Sequence, residues 1–193
     1  MSNDSTTGGP LLPSVSPAPL EADALDDFLH DYLVSLTGID KKNVRPRWQP
    51  VPANIPAFGV DWVAFGITNF NRETFAAEQH IVSPTVYNVL KVHEEFDCLC
   101  SFYGPNSASF AALFRDGMQI AQNREVLVTN GMNLVASANI VPMPELVKER
   151  WLKRYDLSFT IRRIIVRQYE VNSLASAQLQ LHNELYIETI NVP

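Results

Sequence analysis

The longest regular alternation of apolar and polar residues in the chain begins at Val86 and predicts a strand. Apolar and polar side chains alternate along it, which is the period of a strand with one buried and one wet face. The apolar positions are Val86, Leu90, Val92, Phe96, Cys98, Cys100 and Phe102, and the polar positions are Lys91, His93, Glu95, Asp97 and Ser101. Gly104 and Pro105 then end the strand, because glycine permits positive φ and proline donates no hydrogen bond.

A helix is predicted directly after this break, within a strand–turn–helix segment that runs from Val86 to Arg124. Asn106 or Ser107 can cap its N-terminus. Apolar residues recur at helical spacing and predict one continuous stripe. The stripe consists of Phe110, Leu113, Phe114, Gly117, Met118 and Ala121. This helix is expected to cover the apolar face of the strand.

The remaining pattern predicts an α+β fold with a mainly antiparallel sheet and helices on one face. An amphipathic helix is expected from Glu21 to Thr37, with Gly38 as its stop. Besides the Val86 strand, strands are expected at Asp61–Asn71, Phe75–Ile81, Met132–Val141 and Trp151–Tyr169.

The Trp151 strand changes character part-way along. One face is predicted to carry Trp151, Tyr155, Leu157, Phe159 and Ile161. Beyond Arg163 the pattern weakens, because Ile164 and Val166 fall on the polar side. A β-bulge, or a new environment such as a neighbouring subunit, would account for the change.

Both ends of the chain differ from the middle, so we divide it into 1–20, 21–170 and 171–193. The first segment is rich in Ser, Thr, Gly and Pro and predicts an arm that is either disordered or ordered on a neighbour. The middle is expected to form one domain. The last segment predicts a hairpin around His182 and Asn183, which either lies on a neighbouring molecule or pairs with its own domain's edge.

Two short segments leave alternatives open. Asn43–Gln49 contains Arg45, Arg47 and Trp48 between prolines, so it is expected at a sheet edge or in a loop. Its Trp is either an interface anchor or a cover for one end of the core. Glu145–Arg150 is either one helical turn or an extended approach to the Trp151 strand.

Composition narrows the possible functions. The chain has 193 residues and a net charge of −6, whereas a dedicated nucleic-acid-binding domain is usually basic. It contains neither an apolar run of membrane-spanning length nor a secretory signal pattern. The only cysteines, Cys98 and Cys100, are two apart on one strand, too far for a good disulfide, and are expected to be reduced core thiols.

No spacing in the sequence predicts catalysis or a bound cofactor. The four histidines lie in different predicted elements, and no nucleotide-binding, hydrolase or zinc motif occurs. An enzyme could still be assembled from scattered residues. Basic residues concentrate between Lys148 and Arg167 but are interleaved with Glu145, Glu149 and Asp156, a mixture that favours protein–protein ion pairs over phosphate binding.

Several motifs, in order, resemble the neck or tail terminator family of tailed bacteriophages and prophages. They are NVRPRWQP (43–50), DWVAFGIT (61–68), SFYGPN (101–106), RDGMQIAQNRE (115–125) and PMPELVKERWLKRYDL (142–157). The resemblance covers roughly residues 43 to 169. It implies a structural virion subunit that forms a ring, usually a hexamer, at the neck–tail junction. Such a ring ends the tail tube and joins it to the neck, while DNA passes through its lumen.

The resemblance implies further partners and no catalytic, metal-binding or cofactor-binding residues. The expected partners are other copies of the chain, the tail tube protein, neck connector or adaptor proteins, and a sheath if the tail is contractile. Genomic DNA would pass without specific binding, no membrane is involved, and assembly would occur in the host cytoplasm. The alternatives are a phage-encoded enzyme and a nucleic-acid-binding module.

Arginine and aromatic residues in the motifs predict the assembly interface. The candidates are Arg45, Arg47, Trp48, Tyr103, Arg124, Lys148, Arg150 and Arg154. Glu94, Glu95 and Asp97 are candidates for the lumen lining, because negative charge would repel DNA phosphate.

Overall fold

A computed structural model describes residues 9–14, 20–49, 54–82 and 86–171, and the backbone of two further strands at 177–183 and 186–192. The helices are α1 (Asp23–Thr37), α2 (Ser107–Gly117) and α3 (Ala121–Thr129). The strands are β1 (Val44–Pro46), β2 (Trp62–Arg72), β3 (Ala77–Val82), β4 (Val86–Tyr103), β5 (Met132–Ser137), β6 (Val141–Pro142), β7 (Glu145–Val147), β8 (Arg150–Leu152), β9 (Arg154–Glu170), β10 (Ala177–Asn183) and β11 (Tyr186–Val192). This is the predicted α+β class.

The described residues group into two compact units. The larger unit takes in residues 18–76 and 92–165, and the smaller one takes in 1–17, 77–91 and 166–193. Positions 1–8 and 15–19 of the predicted N-terminal arm lie outside the described residues. The division into one domain and two arms stays a prediction.

The sheet of the larger unit has the strand order β1-β2-β4-β9-β5, with β6 also paired to β9. β2 pairs antiparallel with β4, and β5 pairs antiparallel with β9. β4 and β9 are neighbours in the sheet. Asp97 on β4 bonds to Thr160 on β9, and Glu95 bonds to Arg162. Because the residue number falls on one strand as it rises on the other, the two strands are antiparallel. Only β1 runs parallel to its described partner, β2, and it forms the edge that its prolines predict.

Helix α1 forms where the apolar stripe predicts it. Leu25, Leu29, Tyr32 and Leu33 are buried on one side. Gly38 ends the helix with φ 70°, and its N–H donates to the carbonyl of Val34 at 2.9 Å. A left-handed residue after the last turn is the usual way to satisfy a terminal carbonyl.

The turn between β4 and α2 depends on close backbone approach. Gly104 has φ 112°, and a Cβ there would lie 2.5 Å from Oδ1 of Asp61. The Asp61 carboxylate accepts hydrogen bonds from the Asn106 backbone N–H at 2.8 Å and from Asn106 Nδ2 at 2.9 Å. Glycine therefore makes room for the aspartate that fixes the start of α2.

The core lies between the sheet and the helices, around the fully buried ring of Phe114. Its centroid is 5.5 Å from that of Phe159 on β9, 6.1 Å from Phe102 on β4 and 6.2 Å from Tyr32 on α1. The apolar face of β4 is therefore covered by helices, as predicted. Cys98 and Cys100 are free, buried thiols.

The predicted helix stripe after Asn106 is too long. The polypeptide leaves the helix at Gly117 and starts α3 at Ala121, so one predicted helix is two. Phe114 and Met118 are buried, but Leu113 is 49% exposed and Ala121 is also exposed. The break redirects the chain before Ala121, whereas Leu113 is exposed within α2 itself.

The second long strand begins later than predicted. β8 ends at Leu152 and β9 begins at Arg154, so Trp151 does not share a face with Leu157. Near Arg163, where a bulge or a new environment was expected, the side chains of β9 keep a regular alternation, since Arg163 and Ile165 are buried and Ile164 is exposed. The irregular positions lie instead on β2 between Ile67 and Asn69 and on β5 between Leu134 and Ala136.

The smaller unit contains two antiparallel hairpins. β3 pairs with the first residues of β4, from Ala77 opposite Lys91 to Val82 opposite Val86. β10 pairs with β11, which confirms the C-terminal hairpin. Its placement on a neighbouring molecule stays a prediction. No helix among the described residues is long and apolar enough to cross a membrane.

Candidate assembly surface

Large apolar side chains are exposed on three short segments of the larger unit. These segments are 47–49, 54–60 and the β7–β8 hairpin. The side chains, which we call the exposed apolar end, are Trp48, Ile55, Phe58, Leu146 and Trp151. Trp48 and Trp151 are each 71% exposed. Large apolar side chains exposed on neighbouring segments often mark interaction sites in soluble proteins.

Trp48 is held in a conformation that its residue type rarely adopts. It has φ 58°, in the left-handed region where a bulky residue is strained. The N–H of the preceding residue, Arg47, still donates to the carbonyl of Phe65 on β2 at 2.7 Å. The pairing with β2 therefore ends abruptly at Trp48. The Trp48 ring lies over Gly66, where a Cβ would be only 2.8 Å from the ring. Gly66 therefore makes room for an exposed indole.

The β7–β8 hairpin settles the alternative left open for Glu145–Arg150, because the segment is extended and not helical. Lys148 and Glu149 have φ 49° and 62°. Two left-handed residues form the tight turn whose twist matches a two-residue hairpin. Leu146 and Trp151 are directly opposite each other across the hairpin, and both are exposed.

A groove lies between the hairpin and the segment that precedes β2. Its wall is mainly apolar and consists of Ile55, Pro56, Ala57, Phe58, Trp62, Tyr103, Glu145, Val147 and Leu152. Trp62 and Tyr103 stack with centroids 4.2 Å apart. Ile55 and Trp62 also line a second groove, with Arg45 and Trp48. The two grooves therefore share a border.

Arg154 anchors the hairpin from below. Its Nε and Nη2 donate to the two carboxylate oxygens of Asp156, each at 2.7 Å, and its Nη1 pairs with Glu145 on the hairpin. The guanidinium also lies 5.6 Å from the centroid of the Tyr103 ring. The Asp156 hydrogen bonds raise the pKa of Arg154, and burial raises the pKa of the Tyr103 hydroxyl. Both residues were predicted as contact residues, which stays a prediction: Arg154 lies beneath the hairpin and Tyr103 lines the groove.

The other predicted interface residues divide into two groups. Arg45 and Arg47 make hydrogen bonds within the unit, Arg45 to the carbonyls of Lys42 and Asn54 and Arg47 to the Ser101 hydroxyl. Lys148 and Arg150 are exposed on the hairpin, and Arg150 lies 5.9 Å from the centroid of the Phe58 ring.

One predicted interface residue lies elsewhere, and four apolar members of the surface were missed, among them Trp151, which was placed on the apolar face of the long strand. Arg124 is exposed on α3 and lines neither groove. Ile55, Phe58 and Leu146 had no periodicity to indicate burial or exposure. Their proximity in sequence to prolines and to Trp48 or Trp151 was the available signal.

The wet face of the sheet carries two of the three predicted lumen residues. Glu95 accepts a hydrogen bond from Arg162 Nε at 2.8 Å. Asp97 accepts from the Thr160 hydroxyl at 2.6 Å and from Asn69 Nδ2 at 3.2 Å. These carboxylates lie on the side of β4 that faces away from the helices, and Glu95 also lines a groove with Asn71, Glu73, His93 and Arg162.

Glu94 lies on the opposite, buried face and does not belong with these two carboxylates. Its side chain and that of Arg163 are each only 7% exposed. Arg163 Nε and Nη2 approach Glu94 Oε1 at 2.8 and 2.6 Å, and Nη1 donates to the carbonyl of Leu20. The guanidinium also lies over the Phe96 ring. Pairing with Arg163 explains how a carboxylate occupies a position in the apolar pattern.

Among the described residues, no three His, Cys, Asp or Glu side chains are arranged to hold a metal ion. A model of the family described as phage neck terminator protein matches residues 23–184. That range takes in α1, the sheet and both grooves. No curated protein matches the chain.

Proposed function

The chain belongs to the family of phage neck terminator proteins, which are structural components of the virion at the neck, and we propose that it forms a ring there. The ring is a homo-oligomer, a hexamer, at the junction of neck and tail. It ends the polymerisation of the tail tube and joins the tube to connector or adaptor proteins. DNA passes through its lumen.

The exposed apolar end is the observation that carries this proposal. A stable monomer gains nothing by exposing Trp48 and Trp151 to water, whereas burial of each aromatic side chain in a contact stabilises the complex. Lys148 and Arg150 border the apolar residues, and arginine with aromatic side chains is the composition of interface anchors. Arg154 supports the surface from within by holding the hairpin in place.

The wet face of the sheet supports the second part of the proposal. Glu95 and Asp97 are candidates for the lumen lining, because carboxylates repel the phosphate backbone and let DNA slide, although Arg162 offsets the charge of Glu95. The net charge of −6 on each copy adds to this repulsion. Duplex DNA is therefore expected to bind the isolated ring weakly at physiological salt, which an electrophoretic mobility assay measures.

The same architecture leaves other surfaces for the tail tube protein, for neck connector or adaptor proteins and, in a contractile tail, for the sheath. Assembly takes place in the host cytoplasm. If purified tube protein elongates into long tubes, addition of the ring is expected to shorten them and to appear at one tube end by electron microscopy.

Mass measurement in solution tests the ring directly. Wild-type protein is expected to form a hexamer at high concentration or beside the tube protein, seen by light scattering coupled to size exclusion. Arg150→Glu is expected to lower the ring yield without changing the circular dichroism spectrum. Lys91→Glu, an equivalent charge reversal on β4 in the smaller unit, is the control and is expected to assemble. A wild-type protein that stays monomeric under all of these conditions contradicts the proposal.

A further inference from the structure

The two ends of β2 have different surfaces. Trp62 lies at one end and lines both grooves of the exposed apolar end. Phe70 lies eight residues further along the strand, a separation of about 27 Å for extended backbone. The surfaces at the two ends are therefore too far apart to contact each other within one copy.

At the Phe70 end, an exposed aromatic side chain lies beside the start of α1. Phe70 is 52% exposed, and its ring centroid is 5.9 Å from that of buried Phe96. A groove there is lined by Glu21, Ala22, Leu25, Phe70, Glu94 and Arg163. The Glu94–Arg163 pair and Leu25 give it a fixed floor, because all three side chains are buried.

The two ends differ in their balance of charge, although the hairpin turn also carries the exposed carboxylate of Glu149 and exposed Arg72 follows Phe70 on β2. Lys148, Arg150 and Lys153 are exposed at the apolar end, and none forms an ion pair with a carboxylate in the described part of the chain. The first turns of α1 carry Asp23 and Asp27 on the surface with Asp26 between them.

These aspartates likewise lack a cationic partner among the described residues. Burial, followed by the charges of Asp23 and Asp27, raises the pKa of Asp26. A cation brought to this turn would relieve the repulsion.

We infer that copies of the chain associate head to tail: the exposed apolar end of one copy docks on the Phe70 groove and the start of α1 in the next. This inference rests on the proposed ring and specifies its contact. A contact between two different surfaces of one chain is heterologous, and repetition of such a contact generates a closed ring when the rotation between copies closes. An isologous contact through the apolar end alone would stop at a dimer and would bring Lys148 and Arg150 against their own copies.

Two single variants, each with one damaged surface, test the polarity. Trp151→Glu places a negative charge on the apolar end, and Phe70→Lys places a positive charge in the groove. Each variant alone is expected to be monomeric, because every contact needs one apolar end and one groove. Mixed in equal amounts, they are expected to form a dimer and nothing larger, since only one intact pair of surfaces remains. Size exclusion with light scattering measures the masses, and circular dichroism confirms that both variants are folded.

A charge exchange tests the same contact with smaller changes. Arg150→Glu and Asp27→Arg are each expected to reduce assembly at least tenfold, and the double variant is expected to regain most of it. Glu125→Lys, on α3, is the control and should assemble like the wild type.

Three outcomes are distinguishable. A 1:1 dimer from the mixture supports the inference. Monomers in the mixture, while the wild type forms rings and the charge exchange gives no recovery, overturn the head-to-tail contact but leave the proposed ring intact. A wild type that never assembles, even beside the tube protein, overturns both.

Discussion

The core of the larger unit and its exposed apolar end use similar side chains in opposite ways. Phe114 and Phe159 lie on long regular elements and are buried, whereas Trp48, Phe58 and Trp151 lie on short segments and face water. The exposure is not a consequence of a missing core, because β2, β4, β9 and the three helices already form one. Hydrophobic periodicity therefore accounts for burial within the unit, and aromatic residues on segments without that periodicity are available for a partner.

Charged residues show the same contrast. In the core, Glu94 and Arg163 are buried as a hydrogen-bonded pair. At the start of α1, Asp23, Asp26 and Asp27 are close in sequence and have no cation beside them in the described residues. The buried pair balances its charges within one copy, whereas the aspartates can still pair with a cation of a partner.

The largest effect is expected from Phe114→Ala. Removal of this fully buried ring should lower the free energy of unfolding by roughly 3–5 kcal/mol, through lost burial and the cavity left behind. Leu113→Ala on the same helix is the control, and it should cost much less because that side chain is half exposed. Urea denaturation measures both. Equal costs would mean that α2 does not pack on the sheet through Phe114.

A somewhat smaller loss is expected from Glu94→Gln, which leaves the buried guanidinium of Arg163 without its counter-charge. Disruption of one partner of a buried pair typically costs about 3 kcal/mol or more. Glu95→Gln, on the wet face of the same strand, should change the unfolding free energy by less than about 1 kcal/mol. The double change Glu94→Leu with Arg163→Met should recover most of the loss, and no recovery would show that Arg163 has a further role.

The core could be predicted well from the sequence because the patterns that indicate it lie within single elements. Alternation along β4 and β9 and the stripe of α1 follow from side-chain period alone, and Gly38 is a local stop. Errors arose where distant contacts decide the outcome. Alternation places Glu94 in the apolar phase of β4, but its partner Arg163 is 69 positions away, so the local pattern does not show how a carboxylate could be buried there.

The candidate site was predicted only in part, for a related reason. The motifs identified Trp48 and Arg150 but placed Trp151 in the core, because its spacing from Tyr155 fits a continuous strand. The left-handed turn at Lys148–Glu149 and the interruption at Lys153 separate the hairpin from β9. Backbone conformation of this kind is not encoded in hydrophobic period.

A third prediction separates stability from assembly at the exposed end. Trp48→Gly removes an exposed indole and relieves a positive φ that costs a non-glycine residue about 1–2 kcal/mol. The lost contact with Gly66 offsets part of this gain, so the unfolding free energy should change by no more than about 1 kcal/mol. Ring yield, in contrast, should fall sharply, while Trp48→Phe should retain most of it. A large loss of stability with assembly unchanged would make Trp48 a part of the core.

The smallest effect is expected from Asp26→Asn, which removes a crowded carboxylate at the start of α1. The raised pKa means that folding disfavours the ionised form, so ionised Asp26 destabilises the monomer at neutral pH. The variant should therefore be slightly more stable than wild type at pH 7, by about 0.5 kcal/mol or less. Wild type should regain the difference as pH falls through the raised pKa, and the two should match below the ordinary value of 3.8, where Asp26 is protonated in both states.

Asp31→Asn on the same helix is the matched control with the opposite sign. Hydrogen bonds from His30 and Lys41 lower the pKa of Asp31, so its ionised form stabilises the folded chain above pH 3.8 and that contribution fades as pH falls through the lowered pKa. This variant should be slightly less stable than wild type at pH 7. Thermal unfolding between pH 3 and pH 7 measures both differences. If Asp26→Asn instead destabilises the monomer, attraction of the carboxylate to the helix N-terminus outweighs the repulsion. If it stabilises the monomer but weakens the ring, the carboxylate that is costly in one copy is matched by a cation of the next.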